Sequence, residues 1–327
     1  MGFITKTSYN LMKKSLAGAD IPVPSTEEPI VADEKALLTF AAWGDPQISS
    51  LSSLRSSNLT AACRDIAGME GRLDAIVLLG DVAEFGRECE YQAAADILNS
   101  VNHKFDSFFA VAGNHDIRLR NHKKQIKRFN DFLSSVRGGV AGNDEGYFHY
   151  HDIKGNRFIM MGSDSATFEG AYISRKQLKM LDDAIGEAEK KGMNAFVFNH
   201  QTLKYTNGLP NTWLTKPDSR GSVGLQSEQL RRVFEKHGNV IFVTGHLHWG
   251  TGLHSYEDCG CFKALSLPTV GVINHGKNPL PAQGYIISVY EDKIVMRARS
   301  HAEGKWFDSS VKGSNIIIPL NKKEKKS

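Results

Sequence analysis

The feature that most constrains this chain is the way five short apolar runs end. Leu38 to Trp43 leads to Asp45 and Gln47, and Ala75 to Leu79 leads to Gly80-Asp81. Phe108 to Val111 leads to Gly113-Asn114-His115-Asp116, Ala195 to Phe198 to Asn199-His200, and Val240 to Val243 to Gly245-His246-Leu247-His248. Short β-branched, aromatic or aliphatic runs bounded by Gly, Asn or Asp read as buried strands. In an open α/β sheet, ligands bind beyond the carboxyl ends of the strands. One metal site built from five strand ends follows from that order.

The remainder of the chain fits an α/β layering with sequential crossovers. Apolar residues at intervals of three and four predict helices over 59–69, 88–98 and 126–136. Ser174-Arg-Lys-Gln177 is a capping box that opens a helix running to about Lys191, and Ser227 is expected to cap another that ends near Gly238. Tyr147 to Ile153 and Arg157 to Gly162, joined by Lys154-Gly-Asn156, predict a β-hairpin, and further strands are expected over 285–290, 293–299 and 316–318. Residues 1–36 read as an appended arm or linker, 37–320 as one domain, and the lysine-rich 321–327 as a disordered basic tail.

Composition excludes several classes. A chain of 327 residues with 41% hydrophobic and 23% charged residues can bury a large core, and is neither fibrous nor disulfide-stapled. Lys322, Lys323, Lys325 and Lys326, less Glu324, supply three of the four net positive charges, so the body is nearly neutral and the basic balance carries little weight as an argument for nucleic-acid or membrane binding. The cysteines Cys63, Cys89, Cys259 and Cys261 are too few and scattered for a disulfide framework. No run reaches the ~18 apolar residues of a membrane span, and Lys13 and Lys14 interrupt any signal-peptide core, so cytoplasmic residence is expected.

The residue types at the strand ends suit two divalent cations. A bridging carboxylate can serve both ions, and Asp81 is placed for that, while imidazoles and amides complete each shell. Taken singly, Asp45, Asp81 and Asn114 are ordinary turn residues, and a lone histidine is more often a satisfied core or surface group. Their joint occurrence in order favours the metal reading.

With those blocks in view, the chain resembles the calcineurin-like metallophosphoesterases over about residues 37–300. In general layout it is similar to their cyclic-nucleotide phosphodiesterase-like branch, with Asp45-Pro-Gln47 as a variant of the first motif. The resemblance implies a four-layer αββα sandwich of two mixed β-sheets flanked by helices. It implies that Asp45, Gln47, Asp81 and His248 bind one metal, and Asp81, Asn114, His200 and His246 the other. His115 would be the general acid, Asp116 would hold its imidazole, and a metal-bridging hydroxide would attack a phosphate mono- or diester. The family commonly has His at position 47; an amide oxygen there should favour manganese or iron over zinc.

Substrate signals are weaker. The loop residues Tyr205, Asn207, Trp213 and Arg220 lie between ligand strands, where substrate contacts are common. Arg118, Arg120, His122, Lys123, Lys124, Lys127 and Arg128 follow His115-Asp116 and either steer phosphate or form a solvated helix face. A small phosphate ester is the expected substrate. Two rival readings stay open: a catalytically silent metal-binding scaffold of the same fold, and a nuclease, which the lack of interleaved aromatics disfavours.

Overall fold

The computed structural model describes residues 28–119, 121–142, 147–213, 221–238 and 240–320. The first half runs β1 (Leu38–Trp43), α1 (Leu54–Ala67), β2 (Leu73–Leu79), α2 (Glu88–Asn99), β3 (Phe105–Val111), α3 (Asn114–Ile117) and α4 (His122–Ser135). The middle adds β4 (His149–Ile153), β5 (Asn156–Met160), α5 (Arg175–Lys190), β6 (Asn194–Phe198), α6 (Ser227–His237) and β7 (Val240–Thr244). The chain closes with β8 (Tyr256–Asp258), β9 (Phe262–Ser266), β10 (Gln283–Val289), β11 (Lys293–Ser300), β12 (Lys305–Trp306) and β13 (Asn315–Pro319).

These strands form two mixed sheets. One has the order β12-β11-β10-β1-β2-β3, with β13 also paired to β11; the other has the order β4-β5-β6-β7-β9-β8. Strands β1, β2 and β3 are mutually parallel, as are β5, β6, β7 and β9. The carboxyl ends of the ligand-bearing strands in each sheet therefore lie at one edge.

Alternation along each strand sorts the core into three parts. Phe40, Ala42, Val77, Leu79, Phe109 and Val111 face Phe158, Met160, Phe196, Phe198, Ile241 and Val243 between the sheets. Their neighbours Ala41, Ile76 and Phe108 pack outward with Leu59, Ile66 and Phe129 of the first helical layer. On the far side Ile159, Val197 and Phe242 pack with Leu181, Ile185, Leu230 and Phe234. The result is the expected αββα order, and it explains why the strands read as near-continuous apolar runs: both of their faces are buried. Phe40 anchors the inter-sheet layer, with its ring centroid 4.9 Å from Phe158 and 5.4 Å from Phe196 in edge-on contacts.

Local chemistry corrects some element bounds. α4 starts earlier than its apolar periodicity suggests, because the Asn121 side chain caps it by accepting from the Lys124 N–H at 3.1 Å. Ser227 does not cap α6; it is the first helical residue, and its Oγ accepts from the Lys204 N–H. Strands β8 and β9 were not expected, since Lys263 breaks the apolar run that follows Cys259-Gly-Cys261. Within the expected arm, residues 1–27 lie outside the described region, but Ile30 is buried and Ala32 donates its N–H to the Glu70 carbonyl. Among the described residues no helix is long and apolar enough to cross a membrane.

Half of the expected Ser174–Gln177 capping box forms: the Ser174 hydroxyl accepts from the Gln177 N–H at 3.2 Å, but the Gln177 side chain bonds Gly162, and the Ser174 N–H donates to Asp164 instead. Ser174→Ala should therefore lower stability by about 1 kcal/mol. Urea unfolding checks this, and an unchanged midpoint would show that the cap contributes nothing.

Candidate metal centre

Five of the expected site residues have left-handed backbones: Asp45 (φ 50°), Gln47 (φ 41°), Asp81 (φ 48°), His246 (φ 70°) and His248 (φ 52°). Non-glycine residues seldom adopt this region, and such strain persists only where the surroundings enforce it. Here the strand ends brace one another. Gln47 N–H donates to the Asp81 carbonyl at 2.7 Å, and His246 N–H to Asp45 Oδ2 at 2.9 Å, which ties the two sheets together. Two glycines make room: a Cβ at Gly113 would come within 2.1 Å of Asp81 Oδ1, and one at Gly80 within 2.4 Å of His200 Nδ1.

All seven expected ligand residues converge, and apart from partly exposed His248 they are buried. Two overlapping groups have their potential ligand atoms within 4.8 Å of one another: Asp81, His200 and His246, and Asp45, Asp81 and His248. Asp81 belongs to both. His200 Nε2 lies 3.3 Å from Asp81 Oδ2 and 3.1 Å from His246 Nδ1, while His248 Nε2 lies 3.2 Å from Asp45 Oδ1. Gln47 reaches Asp81 Oδ2 through Nε2 at 3.3 Å, and Asn114 lines the same cavity.

Three observations fit these residues to cations. His200 Nδ1 donates to the Leu79 carbonyl at 2.6 Å, which leaves Nε2 as the nitrogen that faces Asp81 and His246. Buried Asn114 Oδ1 and His246 Nε2 have no hydrogen-bond partner, although such atoms are nearly always satisfied. The carboxylates also draw positive charge inward. Burial disfavours a charged His200, yet Asp81 and Asp45 outweigh it and raise its pKa to about 9. Burial likewise opposes ionisation of Asp81, but His200 and His115 hold its carboxyl well below the usual range. A buried anionic cluster of this kind is stabilised by bound metal.

His115 stands beside the group. Its Nε2 is 3.9 Å from Asp81 Oδ2, and its Nδ1 lies 3.0 Å from the Glu84 carbonyl oxygen and 3.4 Å from Glu84 Oε1. Burial lowers its pKa, but Asp81 and Glu84 prevail and raise it to about 9. Arg118 Nη2 is 2.9 Å from the same Nδ1.

The expected contact from Asp116 to the His115 imidazole is not formed. Asp116 instead accepts from the backbone N–H groups of Val82, Ala83 and Gly113 and from the Tyr91 hydroxyl, at 2.8–3.2 Å. Successive residues of a helical turn point about 100° apart, so chain neighbours diverge. Asp116 braces the loops after β2 and β3, and Glu84 occupies the place expected of it. Glu84 was missed, although an acid three residues beyond Asp81 was a usable signal.

A cavity of about 460 Å³ opens over the group, lined by Gln47, Asp81, Asn114, His115, His246 and His248, with Phe168, Glu169, Thr212, Trp213 and His275 around them. Of the four expected loop contacts, Trp213 is in place, stacked on His246 at 4.5 Å. Asn207 is buried and donates through Nδ2 to the His254 carbonyl of the segment before β8, Tyr205 is exposed and not part of the cavity lining, and Arg220 lies outside the described residues. From the basic run, Arg118 reaches the site; Arg128 donates to the Gly86 carbonyl, Lys127 pairs with Asp131 on the surface, and Arg120 lies outside the described residues. Phe168 and Glu169 carried no sequence signal.

Loops from two facing sheets that bring two overlapping ligand groups around one shared carboxylate define a dinuclear metallohydrolase. The family model of calcineurin-like phosphoesterases matches residues 39–250, and the chain belongs to that family, hydrolases of phosphoric esters that work with two divalent metal ions. Its fold is similar to that of a dimetal phosphatase from Danio rerio, at 16% identity and TM-score 0.60, covering 88% of this chain and 100% of that one. It is similar also to a purple acid phosphatase from yellow lupin seeds, at 13% identity and TM-score 0.57, covering 86% of this chain and 53% of that one. A third similar structure is the anchor in the inner membrane complex of Plasmodium, at 16% identity and TM-score 0.57, covering 88% of this chain and 90% of that one. No curated protein matches the chain by sequence.

Proposed function

We propose that this protein hydrolyses small phosphate mono- or diesters, with His115 as general acid. Asp45, Gln47, Asp81 and His248 would hold one ion, and Asp81, Asn114, His200 and His246 the other. The pair of ions, when bound, supplies charge neutralisation at the phosphate and an activated water. Manganese, iron and zinc all suit this donor set, with the Gln47 oxygen favouring the first two. The observation that carries the reading is the shared position of Asp81, with His115 Nε2 directed to the same carboxylate at 3.9 Å.

His115 acts by delivering a proton to the departing oxygen from Nε2, while Glu84 holds the other side of the ring. The cavity of about 460 Å³ suits a small ester better than a protein surface. A panel of mono- and diesters assayed with manganese, iron, zinc and magnesium tests the substrate class. No turnover of any ester by protein with two ions bound would instead support a scaffold role, a reading in keeping with the similar fold of the anchor in the Plasmodium inner membrane complex.

His115→Asn should lower kcat by about a hundredfold on alkyl phosphate esters, whose leaving oxygen needs a proton. The loss should be much smaller on a nitrophenyl ester, whose leaving group departs as an anion. Equal losses on both would remove His115 from the acid role.

A further inference from the structure

Asn114 is expected to offer an oxygen to a metal, yet a carboxamide presents nitrogen as readily unless something distinguishes its two ends. Here its Nδ2 donates to the Phe168 carbonyl at 3.1 Å and to Glu169 Oε2 at 3.4 Å. Both partners are acceptors, so they fix nitrogen on that side and turn Oδ1 away from them. That Oδ1 is the buried atom without a partner.

Phe168 and Glu169 sit on the loop between β5 and α5, and the loop is fastened to the site from two directions. Gln201, which directly follows His200, donates through Nε2 to the carbonyls of Glu169 and Gly170 at 3.3 and 3.2 Å. Arg118, four residues after Asn114, lies 3.4 Å from Glu169 Oε1 and places its guanidinium 5.1 Å from the Phe168 ring centroid. These attachments adjoin Asn114 and His200, both assigned to the second ion. Asp45 and His248 lie across Asp81 in the other group.

We infer that Glu169 is a positioning residue for the second metal site, acting with the Phe168 carbonyl through the Asn114 amide. The inference rests on the ligand assignment proposed above. Groups that orient a ligand from behind typically change metal affinity by ~10–100-fold when removed. Glutamine at position 169 would keep an oxygen acceptor for Asn114 Nδ2, whereas alanine would not.

The test is a calorimetric manganese titration of the metal-stripped full chain, for wild type, Glu169→Ala, Glu169→Gln, Asn114→Ala and the double alanine variant. Circular dichroism first confirms that each is folded. Wild type should take up two ions, and Glu169→Ala should weaken one binding step by about tenfold and spare the other. Glu169→Gln should bind nearly as wild type does, and Glu169→Ala should add nothing in the Asn114→Ala background. Unchanged binding by Glu169→Ala, equal weakening of both steps, or additive losses in the double variant would overturn the inference while leaving the two-metal reading intact. Glutamine as damaging as alanine would make Glu169 a direct ligand and also overturn it. A wild type that takes up fewer than two ions would overturn the site assignment and this inference together.

Discussion

Asp81→Asn should reduce kcat/KM on any phosphate ester by about a thousandfold or more, beyond the ~10–100-fold typical of groups that only orient ligands. The reason is position. Asp81 is the one residue common to both ligand groups, it is fully buried, and its Oδ2 lies within 3.3 Å of both His200 Nε2 and Gln47 Nε2. Asparagine preserves shape but removes the charge that offsets two cations, so metal content should fall at both sites. Asp81 Oδ1 also accepts from the His115 N–H at 2.8 Å, which an amide oxygen can still do, so the fold should persist. Steady-state kinetics with metal analysis of the same samples checks this. Two ions retained with near-normal turnover would show that Asp81 is not the shared ligand.

The largest expected effect on stability lies away from the cavity. Asp65 of α1 and Arg299 of β11 form a fully buried pair, with Arg299 Nε and Nη2 donating to the two carboxylate oxygens at 2.8 and 2.6 Å. Trp43 Nε1 donates to His301 Nε2 at 2.9 Å, so His301 Nδ1 is the nitrogen that donates to Asp65, at 2.7 Å. Removing one partner strands the other charge in the core. Asp65→Ala should cost about 3–5 kcal/mol. For a chain of this size the corresponding fall in Tm is on the order of 10 °C.

The same pair sets a pH dependence. Burial opposes ionisation of Asp65, but Arg299 and His301 outweigh it and hold the carboxyl below its usual 3.8. A depressed folded-state pKa contributes stability that is present above the unfolded value and lost as pH falls through the folded one. The gap between wild type and Asp65→Ala should therefore be full at neutral pH and narrow only below about pH 4. Thermal unfolding across pH 2–7 measures it, and a constant gap would show that the ion pair is not its source.

What was legible in sequence depended on range. Asp45, Gln47, Asp81, Asn114, His200, His246 and His248 each lie a few residues beyond the end of a strand, so local pattern brought them into view as candidates. The layering was legible for the same reason, since apolar runs such as Leu38 to Trp43 have two faces to bury. Partners from other segments were not. Glu169 reaches Asn114 across 55 residues of chain, and its place depends on how the loop after β5 folds over the strand ends. Asp116 failed in the opposite way, because adjacency in sequence suggested a contact that the turn of α3 prevents. β9 escaped because Lys263 interrupts a strand whose other residues are largely buried beside β7.

The most direct test of the central claim, a phosphoesterase whose two ions share Asp81, is a titration of the metal-stripped protein with manganese while ester hydrolysis is followed. Hydrolysis should stay near background through the first equivalent and rise steeply with the second. Full activity at one equivalent, or no hydrolysis with two ions bound, would contradict it.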